Sequence, residues 1–79
     1  MSKPKTPHEA ERPPLAPIDE ETLAFYREFI AAHSFPPTLR EAADELDLAV
    51  AAVHKRLKRL HRAGYVRLYR GAARGVQIL

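Results

Sequence analysis

Apolar residues recur at helical spacing in three stretches of the chain and alternate in a fourth. Leu23, Tyr26 and Ile30 form one stripe, widened by Phe25 and Phe29, and predict a first helix from Glu20 to His33. Asp19 is its expected N-cap, with Glu20 and Glu21 at the positive end of the helix dipole. Ile18 and Leu23 have the spacing of a hydrophobic staple. Pro36-Pro37 stops that helix, because proline lacks the amide donor and its ring clashes with the preceding turn. Thr38-Leu39-Arg40-Glu41 is a capping box and opens a second helix of about two turns, with Ala42, Ala43 and Leu46 inward. Asp47 suits the left-handed conformation of a tight turn, and Leu48 is expected below it. Val50, Val53, Leu57 and Leu60 place a third helix over Val50–Ala63, ended by Gly64. Beyond it, Tyr65–Tyr69 alternates, Arg70–Gly75 is a glycine-bounded turn, and Val76–Leu79 returns as a second strand.

Composition narrows what these elements can be. The chain has 79 residues, enough for one small domain near the lower limit for an independent core. It has no cysteine, so disulfides, thiol nucleophiles and thiolate metal sites are excluded. Five of the seven prolines lie in residues 1–17, which reads as a disordered or polyproline-like tail ahead of a folded domain over 18–79. The net charge of +3 conceals a segregation. Residues 19–47 hold eight acids against Arg27 and Arg40, whereas residues 48–79 hold eight bases and no acid. Such an acid-free basic third is the footprint expected of a polyanion binder.

Helix, short helix, tight turn, basic helix and basic hairpin together make a mainly α fold with a small β-hairpin: a winged helix-turn-helix of three helices and a two-stranded wing. Ala49, Ala51 and Ala52 would let the third helix approach base edges closely, with His54 and Lys55 long enough to reach them. Lys58, Arg59 and Arg62 project from the same exposed side and are expected on phosphates, as are Thr38 and Arg40 at the second helix. Arg70, Gly71 and Arg74 form the wing tip, expected on adjacent backbone or minor groove.

From Phe35 to Leu79 the chain resembles the amino-terminal DNA-binding domain of the LexA repressor family. The resemblance is carried by Pro36-Pro37-Thr38 with Glu41-Ala42-Ala43, and by Leu57-x-x-Leu60-x-x-x-Gly64-Tyr65-Val66. The most specific match is Gly71-Ala72-Ala73-Arg74-Gly75-Val76, similar to the family's Gly-Ala-Ser-Arg-Gly-Ile wing. There are departures. Asp47 stands where the family has glycine, and the turn before the third helix is one residue shorter. The family's base-contacting Ser, Asn, Ala, Glu and Glu are matched here by Ala49, Ala51, Ala52, His54 and Lys55, so its operator does not carry over. Ala49 also removes a capping hydroxyl, at a cost of roughly 0.5–2 kcal/mol. The family continues into a self-cleaving, dimerising peptidase domain. This sequence stops at Leu79, and the expectation is an isolated DNA-binding domain or an independent small regulator.

An enzyme is not expected. Ser2 and Ser34 are the only serines, no acid neighbours His54 or His61, and no glycine-rich phosphate loop precedes a helix. His54 and His61 lie two helical turns apart, too far to share a metal, so neither metal nor cofactor is expected. The reading is sequence-selective binding of double-stranded DNA by a cytoplasmic, nucleoid-associated repressor, with no membrane partner. Specificity would come from a homodimer on a two-fold site. The alternative is a winged-helix module docking an acidic protein, such as part of the transcription machinery.

Overall fold

The computed structural model describes residues 12–79. The expectation for residues 1–11 lies outside the described residues. Three helices are followed by a hairpin: α1 (Pro17–His33), α2 (Leu39–Leu46), α3 (Val50–Arg62), β1 (Val66–Leu68) and β2 (Val76–Ile78). The expected winged helix-turn-helix architecture is therefore present.

The start of α1 differs from expectation. Ala16 is its N-cap without a side-chain hydrogen bond, and Pro17 opens the helix. Proline suits this position because its missing amide would have had no helical partner. Asp19 consequently lies inside the first turn, 4% exposed, rather than at the cap. Ile18 is 46% exposed, so no staple closes on Leu23. Leu15 packs against the core instead, and the Tyr65 hydroxyl donates to the Pro13 carbonyl at 2.9 Å. Pro13 and Leu15 thus contact the folded body.

Local signals set the other helix ends. Ser34 stops α1 in the left-handed region at φ 67°, and its amide donates to Ile30 O at 2.8 Å. The capping box forms in full. Thr38 Oγ1 accepts from the Glu41 amide at 3.1 Å, and Glu41 Oε1 accepts from the Thr38 amide at 2.9 Å. Asp47 adopts φ 55°, and the amides of Asp47 and Leu48 return to the carbonyls of Asp44 and Ala43. That pairing satisfies two carbonyls that a helix end leaves orphaned. The end of α3 repeats the device: Gly64, at φ 85°, donates to His61 O, and Tyr65 donates to Leu60 O.

The core is small and shared. Leu23 and Tyr26 of α1, Ala42 and Ala43 of α2, Val53, Leu57 and Leu60 of α3, and Val66 of β1 are all buried. Each large aliphatic there contributes about 1.5–3 kcal/mol by burial. The two alanines let α2 lie close on α3, which fixes the helix-turn-helix angle. The hairpin is antiparallel, in register Val66↔Ile78, Arg67↔Gln77 and Leu68↔Val76. Val66, Leu68, Val76 and Ile78 face the helices while Arg67 and Gln77 face outward, as alternation requires. At the wing's return, a Cβ on Gly75 would stand 2.5 Å from the Tyr69 carbonyl oxygen, so the close approach admits only glycine.

One apolar position leaves the pattern. Val50 shares the helical spacing of Val53, Leu57 and Leu60 but is 40% exposed, while those three are 0–1% exposed. The first turn of α3 projects past the edge of the core, so its stripe begins at Val53.

Candidate nucleic-acid interface

Three elements converge on one open cleft of about 650 Å³. Its walls are the N-terminal turn of α2 (Thr38, Leu39, Arg40), one side of α3 (Val50, His54, Leu57, Lys58) and the wing from Leu68 to Ala73 with Gly75 and Val76. Tyr26 of α1 also lines it. Arg40, His54, Lys58 and Arg70 bring four potential cations to this wall, and among the described residues no aspartate or glutamate lines it. Thr38 and Gly71 are there as well; Gly71 is left-handed at φ 76° and shapes the wing tip. The Tyr26 hydroxyl is buried with no hydrogen-bond partner among the described residues, and burial pushes it up to about 12. It therefore stays protonated at neutral pH.

The other candidate residues on α3 sit outside the cleft wall. Lys55 and Arg62 are exposed on α3. Ala49 and Ala51 are exposed at its start, and Ala52 is half-buried. Ala49 caps the helix through its carbonyl alone, which accepts from the Ala52 and Val53 amides.

Two of the residues expected on DNA, Arg59 and Arg74, form ion pairs within the chain. Arg59 forms a two-pronged pair with buried Asp19, Nε at 2.9 Å from Oδ2 and Nη2 at 2.8 Å from Oδ1. The Asp19 hydrogen bonds raise the guanidinium's pKa further above its usual value. Arg74 binds Glu41 Oε1 through Nη1 at 2.6 Å and the Pro36 carbonyl at 2.9 Å, and lies 4.5 Å over the Phe35 ring. The Arg74 hydrogen bond, with the Thr38 amide, lowers the Glu41 carboxyl to about 2. Arg59 and Arg74 therefore clamp α3 to α1 and the wing to α2. Arg56, which the spacing left without a role, is a third clamp: Nη1 donates to Thr22 Oγ1 at 3.2 Å. Its position beside Leu57, on the flank of the buried stripe, is the sequence signal for that role. The remaining bases of the last third, Lys55, Lys58, Arg62, Arg67 and Arg70, are all exposed.

The chain matches the family described as the LexA DNA binding domain over residues 12–75. It belongs to that family. It is 41% identical to LexA repressor 1 of Geobacter sulfurreducens over 66 residues, covering 82% of this chain and 33% of that protein. It is 38% identical to the LexA repressor of Pseudomonas aeruginosa strain PAO1 over 65 residues, covering 81% of this chain and 32% of that one. Against the LexA repressor of Oleidesulfovibrio alaskensis the identity is 33% over 64 residues, covering 81% and 31%. The chain thus spans about a third of the length of these curated relatives. The LexA-type match begins at residue 12, where the described structure begins, and so includes the α1 segment that carries Asp19.

Proposed function

We propose that this domain binds double-stranded DNA sequence-selectively and represses transcription by occupying promoter sites. The observation that carries the proposal is the cleft in which Arg40, His54, Lys58 and Arg70 meet with no carboxylate among the described residues. A duplex major groove is about 12 Å wide and admits one helix. In this reading α3 enters that groove, with His54 and Lys55 over base edges and Ala49, Ala51 and Ala52 allowing close approach. Thr38, Arg40, Lys58 and Arg62 hold phosphates, and Arg70 with Gly71 at the wing tip meets the adjacent backbone or minor groove. Arg59 and Arg74 act indirectly, by holding α3 and the wing at a fixed spacing. Membership of a DNA-binding family supports the partner, and the relatives named LexA repressors support repression.

A single module of this kind buries only about 600–1,000 Å² of protein surface on DNA. Useful specificity then calls for two copies on a two-fold site, with half-sites about 10 base pairs apart or a multiple of that. The test is selection of duplexes from a random pool at fixed salt. Enrichment of one motif, with affinity falling log-linearly in salt, is the expected result. A pool that stays random, with tight binding to an acidic protein instead, would overturn the reading in favour of protein docking.

A further inference from the structure

We infer that the exposed apolar start of α3, centred on Val50, selects thymine through its 5-methyl group. The inference rests on the DNA-binding reading above and deepens it to the base the helix prefers. Val50 is 40% exposed although its sequence spacing matches three residues that are essentially buried. It is not needed to fill the core, and it stands on the cleft wall beside His54 and near Arg40. Ala49 and Ala51 on either side are exposed too. From Ala49 to Ala52 no side chain carries a hydrogen-bonding group. This is the end of the helix that approaches base edges in helix-turn-helix binding.

The chemistry of the groove then decides what fits. Guanine, adenine and cytosine present polar atoms there, and thymine alone adds a methyl group. A methyl against Val50 loses water from apolar surface on both partners. A guanine oxygen or a cytosine amino group in the same place would lose its water and gain no partner. Attraction for one base and a penalty against the others therefore come from the same patch. The acid-free surroundings supply the charge complement that brings a polyanion, rather than another apolar surface, over it.

The test uses the unaltered chain and the duplex enriched from the random pool. Each thymine is replaced in turn by deoxyuridine, which removes only the methyl group, and affinity is read by fluorescence anisotropy at one salt concentration. At least one position is expected to lose roughly fourfold, the value of one buried methyl. Val50→Ser, with its melting temperature checked, is expected to abolish that difference. Specific binding that is indifferent to every deoxyuridine overturns the thymine inference and leaves DNA binding standing. A deoxyuridine loss that persists in Val50→Ser assigns the methyl contact to another residue and overturns it as well. A pool without enrichment removes the DNA reading itself.

Discussion

Tyr26 is a compromise in the core. Its ring fills the space beneath the cleft, 1% exposed, and its hydroxyl has no hydrogen-bond partner among the described residues. A buried hydroxyl without a partner forfeits about 1–3 kcal/mol of solvation. Tyr26→Phe keeps the ring and removes the orphan, so urea denaturation should show a gain of about 1 kcal/mol with an unchanged m-value. Glu41 shows the opposite economy, since both its carboxylate oxygens are used. One accepts from the Thr38 amide and the Arg74 guanidinium, and the other accepts from Arg74 alone. Its folded pKa of about 2 lies below the ordinary 4.5, so its contribution to stability is complete above that ordinary value. The contribution is lost as pH falls from about 4.5 through about 2. In acid titrations followed by circular dichroism, Glu41→Gln should be less stable at neutral pH. It should also lose less stability than the unaltered chain across that window.

At the scale of elements, two arginine clamps separate two kinds of positive charge on α3. Arg59 is tied to Asp19 and Arg56 to Thr22, whereas Lys55, Lys58 and Arg62 face solvent. The consequence is measurable in salt. Each phosphate contact contributes about 0.9 to the slope of log affinity against log salt. Lys58→Ala should make that slope shallower by about one unit with little change in melting temperature. Arg59→Ala should lower the melting temperature and leave the slope as it was, because the Asp19 carboxylate loses its partner while no phosphate contact is removed. The same elements show what a sequence can and cannot disclose. The Thr38–Glu41 box, the left-handed Asp47 and the Gly64 stop are local devices spanning a few residues, and all three were legible. The Asp19–Arg59 and Glu41–Arg74 pairs join residues 40 and 33 positions apart, and nothing local marks them. The charge run marks Arg59 and Arg74 as basic, but it does not reveal which member the fold will bring against a carboxylate. Val50 read as core because periodicity cannot tell where a helix passes beyond its neighbours. Pro17 was the overlooked signal at the start of α1, since proline favours the first helical position.

At the scale of the whole molecule, a domain this small depends on whatever segment can be drawn onto its surface. Residues 12–16 precede α1 and carry no regular structure, yet they are tied down. Leu15 packs on the core, Pro13 accepts a hydrogen bond from Tyr65, and the Arg12 guanidinium lies 4.9 Å over the Tyr65 ring. Tyr65 follows directly on the Gly64 turn that ends α3, so this segment braces the junction between α3 and the wing. The composition of the first 17 residues suggests they are dispensable, because prolines dominate it and apolar residues are few. The contacts argue for a boundary near residue 12 instead. Two truncations separate these views. Removal of residues 1–16 takes away a half-buried leucine, a hydrogen bond and a cation–π contact, together worth about 1–2 kcal/mol. For a domain of this length that is a fall of about 4–16 °C in melting temperature. Removal of residues 1–11 deletes none of these groups and is expected to leave the melting temperature within about 2 °C. If both truncations melt together with the full chain, the bracing role of residues 12–16 is wrong and the boundary returns to residue 17.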